Sequence, residues 1–433
     1  MQDPIIAVVM AGGMGGRLRP LTDVRAKPAV PFGGAYRIID FTLSNCINSG
    51  IRRIFVLTQY KSHSLSNHLK AGWNFLSRRL GQFIDEVPAQ MQIGSGWYRG
   101  TADAIRQNLS LLHDSSCDKV LVLAGDHIYK MDYRHMLSWH MEHRAALTIS
   151  VLRMAPESAR IFGVLEVDDQ GRVTSFEEKP AQPKTLPGSD DCLISMGVYL
   201  FDRERLIANL DDTAVDFGKD LIPRMIARGE PVWAFDFQTR NVIPEYEYVT
   251  VDGMRHRTLV NNASDAAYWR DVGTLEAFWA ANLDLVATRP RFNLYGEKWP
   301  IFNNPGHFPP AKFVHESADR VGHAVNSIVC DGVIVSGARV SRSVLASGIY
   351  VHSYATIDTS VLLGGAMDGG ILQETAIGRG CRIRNAIIDR NVEIRADTVL
   401  GYDRAQDERR GLTTVPLSGS DDYIVVVPKN AII

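Results

Sequence analysis

The chain opens on Ile5-Ile6-Ala7-Val8-Val9-Met10-Ala11-Gly12-Gly13-Met14-Gly15-Gly16-Arg17-Leu18-Arg19-Pro20, followed by Arg25-Ala26-Lys27-Pro28-Ala29. A short apolar strand ends in a glycine turn. Glycines let backbone approach phosphate closely, and their N–H groups line anion-binding concavities. Arg17 and Lys27 then add fixed positive charge, the set needed to hold a nucleoside triphosphate. The run is not a Walker loop, because no Gly-Lys-Ser/Thr follows. It is not a dinucleotide fingerprint either, because Gly13-Met14-Gly15 leads into Gly16-Arg17-Leu18 without a third glycine at the required place. Taken alone, it also fits a glycine-rich surface turn.

Working outward, segments 54–58 and 120–124 are likewise short, β-branched and apolar on both faces, which suits a buried, largely parallel sheet. Segments 40–48 and 101–112 have helical spacing of apolar residues. This βαβ rhythm predicts a doubly wound α/β domain with ligands at the carboxyl ends of its strands. Mixed α/β structure continues to about 285, with hairpins expected over 162–173 and over 245–260, the second turning at Asp252-Gly253. Pro290, Pro300, Pro305, Pro309 and Pro310, with Asn303-Asn304 and Gly306, then mark an extended linker packed on the surface.

Beyond it, branched aliphatics recur near six-residue spacing: Val329 and Val335; Val351 and Ile357; Ile371, Ile377 and Ile383; Ile388 and Ile394. This predicts a parallel β-helix, with a loop thrown out where the repeat stutters at 364–370. Its exposed edges and apolar face predict self-association. The expected division is a catalytic domain over 1–287, a linker over 288–316 and a hexapeptide domain over 317–433.

With 433 residues, 45% hydrophobic and 22% charged, the chain can bury a sizeable core in two domains. A formal charge of -2 and a pI near 6.6 argue against nucleic-acid binding. Cys46, Cys117, Cys192, Cys330 and Cys381 are scattered without CxxC spacing and read as reduced thiols of a cytoplasmic protein. Asp3 and Pro4 precede an apolar run too short for a signal peptide. No apolar stretch approaches the roughly 18 residues of a membrane span.

The strand in Leu121-Val122-Leu123-Ala124-Gly125-Asp126-His127 ends by placing a carboxylate on the same rim as the glycine loop. Mg²⁺ takes one or two carboxylates plus phosphate oxygens. A second carboxylate stands in Trp269-Arg270-Asp271-Val272-Gly273. Nothing in the sequence proves that Asp126 and Asp271 meet, and each alone also fits a structural turn. His127 reads as a packed or solvated residue rather than a metal ligand. In Phe176-Glu177-Glu178-Lys179-Pro180, a lysine beside a carboxylate at a strand end can grip a sugar phosphate, or simply form a solvated pair. Trp97-Tyr98-Arg99-Gly100-Thr101-Ala102-Asp103-Ala104 opens a helix with a glycine against which a base or ribose can lie; alone it is a helix N-terminus.

The order of these motifs resembles the sugar-nucleotide pyrophosphorylases. Arg25 to Val30, Arg37-Ile38-Ile39-Asp40-Phe41, Ser44-Asn45, Thr58-Gln59-Tyr60, Gly125 to Tyr133, Asp216-Phe217-Gly218-Lys219-Asp220 and Pro309-Pro310-Ala311-Lys312-Phe313 narrow the resemblance to the ADP-glucose pyrophosphorylase family, over essentially the whole chain. The resemblance implies a Rossmann-like nucleotidyltransferase domain with a mostly parallel mixed sheet, then a left-handed parallel β-helix. It implies that ATP and α-D-glucose 1-phosphate give ADP-glucose and pyrophosphate for glycogen-type synthesis, with Mg²⁺ on Asp126 and Asp271. By family position, Arg17 and Lys27 hold the ATP phosphates and act in catalysis with the two aspartates. Gly12, Gly13 and Gly15 shape the loop, and Gln59, Gln90 and Gly100 approach the nucleoside. Tyr98, Gly163, Glu178, Lys179, Ser195 and Tyr199 hold glucose 1-phosphate, and Trp269 buttresses Asp271.

The resemblance further implies a homotetramer and small-molecule effectors bound between the domains, with Arg25, Arg37, Arg409 and Lys429 as candidate contacts, and neither a nucleic acid nor a membrane as partner. Val24 stands where enteric-type members carry an activator-binding Lys, Met14 replaces a frequent Arg, and Pro31 and Ala35 replace polar or basic residues, so the resemblance does not extend to the activator's identity. Segment 238–267 is longer than the family leads one to expect. Three alternatives stay open: another sugar-1-phosphate nucleotidylyltransferase, a non-catalytic regulatory subunit of the same fold, and an acyltransferase built on the hexapeptide domain. The second conflicts with the intact set Arg17, Lys27, Asp126, Lys179 and Asp271. The third needs a catalytic His, and His352 reads as a surface residue.

Overall fold

Ile5–Met10 has no polar face, and its strand is covered on both sides. In the computed structural model, which describes residues 5–90, 97–113, 117–304, 306–317, 319–368 and 371–433, it pairs in parallel with Arg53–Thr58 and with Lys119–Ala124. Phe83–Pro88 extends the parallel ladder beyond Arg53–Thr58. On the other side the sheet turns antiparallel. Cys192–Asp202 pairs with Lys119–Ala124 and Gly163–Val167 along one edge and with Leu147–Met154 along the other. Val232–Asp236 lies parallel to Leu147–Met154, and Val173–Glu178 completes the first expected hairpin against Gly163–Val167.

The result is one mixed sheet with a core on each face. Ala7, Val9, Leu121 and Leu123 pack under the helix Ile38–Asn48, and Ile6, Val8, Val120 and Val122 pack under Thr101–Arg106. The single helix expected over 101–112 is broken into Thr101–Arg106 and Leu109–His113. Between them the Asn108 amide donates to the Ala104 carbonyl at 2.8 Å and to the Tyr98 hydroxyl at 2.8 Å, a side chain competing with helical bonding. The second expected hairpin joins Glu245–Val251 to Met254–Val260, and its turn residues Asp252 and Gly253 both have positive φ, 52° and 76°.

The C-terminal part is a left-handed parallel β-helix of three ladders, starting at Lys312–Val314, His323–Val325 and Ile328–Val329. Val335, Val351, Ile357, Ile377, Ile383, Ile388 and Ile394 stack in its interior, as their spacing predicts. Neighbouring coils pair Ile334 with Tyr350 and Val340 with Ile357, so each turn runs a residue or two short of three full hexapeptides. Ile371 is a correction. Its segment does not continue the parallel ladders: Ile371–Gln373 pairs antiparallel with Ala366–Asp368 in a hairpin inserted between coils. The loop expected over 364–370 is this hairpin, apart from 369–370, which lie outside the described residues.

The third ladder carries aliphatics on both faces. Leu345, Leu362, Ile388 and Val427 point into the prism, while Val344, Val361, Ile387 and Val426 join Phe32, Phe41 and Phe278 of the first domain in one buried cluster. The intervening segment is more than a surface linker. Phe292, Trp299 and Ile301 are buried, and the Trp299 indole donates to Asn45 Oδ1 at 2.9 Å.

Candidate active site

The glycine turn leaves Ile5–Met10 with the Ala11 N–H bonded to the Leu57 carbonyl at 2.9 Å. Gly15 has φ 60°, and a Cβ there would meet Thr22 and Lys27 side chains at 3.0 and 3.1 Å. Gly13 faces open space, while Gly12 abuts the Gln59 side chain. The turn therefore presents backbone to a cleft, with Lys27 close behind it.

Asp126 and Asp271 meet. His127–Tyr129 pairs antiparallel with Trp269–Asp271, placing Asp271 opposite His127. Lys27 Nζ lies 2.9 Å from Asp126 Oδ2 and 2.9 Å from Asp271 Oδ1. Burial disfavours the charge on Lys27, but the two carboxylates outweigh it and raise the ammonium above its ordinary value. Burial likewise disfavours ionised Asp126, but Lys27 foremost, then His127 and Arg17, hold its carboxyl down at about 2. A Cβ on Gly273 would stand 2.9 Å from Asp271 Oδ1 and 3.1 Å from Arg17 Nη2, so this glycine lets guanidinium and carboxylate converge. Gly13, Gly15, Arg17, Lys27, Asp126 and Gly273 line one cavity of about 340 Å³.

The donor chemistry fits a hard divalent cation. Two acceptor-only carboxylates already bracket one positive charge; His127 Nε2 lies 3.5 Å from Asp126 Oδ1, and among the described residues no group of three His, Cys or carboxylates is placed to hold a metal ion. A cation such as Mg²⁺ would complete its oxygen shell from phosphates and water. His127 packs edge-on against Trp269, with centroids 4.9 Å apart, and Trp269 also meets Phe162 at 5.5 Å. Trp269 Nε1 and His127 Nδ1 are buried without a hydrogen-bond partner among the described residues.

Val173–Glu178 ends in Glu178, whose carboxylate lies 3.0 Å from Lys179 Nζ. Lys179 takes a left-handed conformation, φ 53°, unfavourable for a residue with a Cβ, and its side chain stays largely exposed. Gly163 makes room chiefly for the Phe176 ring and Gly218 for Glu178; a Cβ on Gly218 would lie 2.5 Å from Glu178 Oε2. Ser195 Oγ donates to the Tyr199 hydroxyl at 3.1 Å, where Cys192–Asp202 shifts register against Leu147–Met154. Burial pushes the Tyr199 phenol up. The Gln59 amide reaches the Tyr98 carbonyl at 3.4 Å. Gly100 is extended, with Val215 O 2.5 Å from where its Cβ would be. Gln90 is exposed, just past Phe83–Pro88.

Arg25 lies between the domains, in a bidentate pair with Asp389 at 2.9 and 3.0 Å. Arg37 donates to Ser64 O and Oγ at 2.9 and 2.8 Å. The sequence reading missed Arg390, which stands close to both. Burial and then the charges of Arg37 and Arg25 bring its guanidinium down to about 9. Burial, with Arg25 nearby, brings Arg37 to about 10. Lys429 follows the strand Tyr423–Val427, next to Asn430, whose N–H donates to the Arg390 carbonyl at 3.1 Å. Arg409 is exposed at the end of the helix Arg404–Arg409.

Residues 6–288 match the Nucleotidyl transferase family, and residues 309–427 match the family described as GlmU-like, C-terminal hexapeptide. The chain is 45% identical to the glucose-1-phosphate adenylyltransferase of Nitrosococcus oceani, over 98% of this chain and 94% of the relative. It is 44% identical to that of Rhodopirellula baltica, over 100% and 92%. It is 43% identical to glucose-1-phosphate adenylyltransferase 1 of Vibrio vulnificus, over 99% and 98%. With a glycine loop facing Lys27, Asp126 and Asp271 and a β-helix docked behind it, the chain belongs to the glucose-1-phosphate adenylyltransferase family.

Proposed function

We infer that the protein transfers the adenylyl group of ATP to α-D-glucose 1-phosphate, giving ADP-glucose and pyrophosphate for α-glucan synthesis. The observation that carries this is the convergence of Asp126 and Asp271 on Lys27 in front of the glycine loop. A phosphate oxygen of the sugar attacks the α-phosphorus of ATP in line, and the bond to the bridging oxygen of pyrophosphate breaks. The nucleophile needs no general base, since a phosphate monoester with a second pKa of ~6 is already ionised at neutral pH. The difficulty is to align two polyanions and to stabilise charge on the departing pyrophosphate. Arg17 and Lys27 supply cations for the triphosphate, and the backbone of Gly12, Gly13 and Gly15 supplies donors. Mg²⁺, which Asp126 and Asp271 would hold, supplies Lewis-acid neutralisation of the phosphates when bound. Glu178, Lys179, Ser195 and Tyr199 orient the sugar phosphate, with Tyr98 and Gly163 beside them. Gln59, Gln90 and Gly100 take the nucleoside. Trp269 keeps the strand of Asp271 rigid.

The same reading includes anionic effectors at Arg25, Arg37 and Arg390, with Lys429 and Arg409 as further candidates, together with a homotetramer and a cytoplasmic location. No helix among the described residues is long and apolar enough to cross a membrane. The test is pyrophosphate release with glucose 1-phosphate, Mg²⁺ and each of ATP, UTP, GTP and dTTP. Release with ATP is the expected result. Preference for another nucleotide overturns the substrate assignment, and no release with any of them favours a regulatory subunit. The pH profile gives a second check. Asp126, held at about 2, stays ionised throughout the neutral range, so the acid limb of kcat/KM belongs to the sugar phosphate and falls near pH ~6. A limb near pH ~4, the ordinary carboxylate range, would speak against this assignment.

A further inference from the structure

Asp103 is fully buried, and no step above uses it. Its carboxylate accepts five hydrogen bonds. Oδ2 takes the Arg99 backbone N–H at 3.0 Å and Gln107 Nε2 at 2.8 Å. Oδ1 takes Arg99 Nη2 at 3.0 Å, Arg106 Nη2 at 2.8 Å and Arg106 Nε at 3.2 Å. Its own N–H donates to the Val215 carbonyl at 3.1 Å, as does that of Ala102 at 3.0 Å. The two arginines continue the network across the same gap, with Arg99 Nη2 on the Asp212 carbonyl at 3.2 Å and Arg106 Nη1 on Asp212 Oδ1 at 2.6 Å. Thr101 Oγ1 donates to Asp216 Oδ2 at 3.1 Å and accepts from the Phe217 N–H at 3.0 Å. Asp216 in turn takes the N–H groups of Gly218 and Lys219, and Gly218 lies against Glu178.

These contacts form one continuous path. It starts at Tyr98 and Gly100, beside Gln59 and the glycine turn, and ends at Gly218 and Glu178. On the adenylyl-transfer reading, one end serves the nucleoside and the other the sugar phosphate. Gly100 closes the path sterically, since any side chain there would strike the Val215 carbonyl. Burial opposes a charge on Asp103, yet the bonds from Arg99 foremost, then those from Arg106 and Gln107, hold its carboxyl well below the usual carboxylate range. The splint therefore stays ionised at every working pH.

We propose that Asp103 is a positioning residue that clamps the nucleoside-side loop at Tyr98–Gly100 to the sugar-side loop at Val215–Gly218, so that filling one half of the cleft preorganises the other. This rests on the adenylyl-transfer reading for which substrate fills which half; the clamp itself rests only on the contacts above. Asp103→Asn keeps the shape but loses the charge and one acceptor oxygen. It is expected to raise KM for both ATP and glucose 1-phosphate about tenfold, the equivalent of one charge-assisted hydrogen bond, while kcat changes far less. In wild type the proposal predicts that the KM for glucose 1-phosphate falls as ATP rises, and in Asp103→Asn that dependence should be lost. A purely structural role predicts instead a lowered melting temperature and a lower active fraction, with both KM values unchanged.

Arg99→Met is the second variant. Arg99 is half exposed, so its loss leaves Asp103 paired to Arg106 and the fold intact. It is expected to shift both KM values the same way by about threefold. It decides the matter if Asp103→Asn does not fold. Unchanged KM values in whichever of these variants folds overturn the proposal. If wild type releases no pyrophosphate, the adenylyl-transfer reading fails separately. Calorimetric titration of ATP and of glucose 1-phosphate, singly and together, into wild type and Arg99→Met still reads the clamp: a smaller mutual enhancement in the variant supports it, and equal enhancement overturns it.

Discussion

Asp126→Asn is expected to lower kcat/KM for pyrophosphate release by about 10²–10³-fold, the size of loss seen when one preorganised electrostatic contact at a reacting centre is removed. It should leave the melting temperature near that of wild type. The Asp126 side chain is about one-third exposed, and Lys27 keeps Asp271 at 2.9 Å, so the substitution strands no buried ammonium. On the adenylyl-transfer reading, the damage is confined to the charge that faces the phosphates. Lys27→Met, by contrast, removes the one ammonium bonded to both carboxylates and leaves them with the charge of Arg17 alongside. Like charges then raise one of them, and the pair becomes the stronger trap for a divalent ion. Mn²⁺ titration without nucleotide should show tighter binding in Lys27→Met than in wild type, although activity is lost. Asp126→Asn together with Asp271→Asn should cost little more than either alone, because the two act as a unit. Activity of Asp126→Asn within about twofold of wild type would remove this carboxylate from the reacting phosphates.

What could be read from the sequence was local. The glycine turn, the Gly125-Asp126 strand end and the Glu178-Lys179 strand end each announce themselves within a few residues, because a strand feeding a tight turn fixes where the next side chain stands. The meeting of Asp126 with Asp271 could not be read this way. It is made by the short ladder between His127–Tyr129 and Trp269–Asp271, a pairing of segments far apart in the chain. Lys27 reaches both only because the one-turn helix Lys27–Ala29 packs beneath the glycine turn. The β-helix was legible from its period, but period does not name the partner strand. Ile371 keeps the spacing while its segment pairs antiparallel in an inserted hairpin. Arg390 was missed because docking of the β-helix on the first domain, not sequence proximity, brings it to Arg25 and Arg37. A signal was nonetheless present: Val344-Leu345, Val361-Leu362 and Ile387-Ile388 are doubled aliphatics where a solvated prism face needs only alternate ones. Doubling marks the face that another domain covers, and so the face on which a neighbouring arginine is half-buried.

Asp389→Ala is expected to destabilise the full chain by about 3–5 kcal/mol, the loss that follows when one partner is removed from a buried ion pair. Arg25 and Asp389 are almost inaccessible and bind each other through both oxygens. Without Asp389 the Arg25 guanidinium stays between two domains, beside Arg37 and Arg390, with Asp40 the carboxylate acting on Arg37. Urea unfolding should begin at lower denaturant, with the contact between catalytic domain and β-helix lost first. Replacing both partners, as Arg25→Met with Asp389→Leu, should recover most of the loss, because no unpaired charge is then buried. Anions separate this account from simple loss of packing. Three guanidiniums short of one counter-charge bind sulfate or a sugar phosphate more tightly, so either anion should stabilise Asp389→Ala more than wild type, by the logarithm of its occupancy. In wild type the same anion must displace Asp389 from Arg25 or settle for Arg37 and Arg390. Because Arg25 precedes Lys27 by two residues, an anion that draws Arg25 off Asp389 pulls on the segment that carries the active-site ammonium. An Asp389→Ala variant as stable as wild type, or no steadier in sulfate than without it, would detach the interdomain arginines from both stability and anion binding.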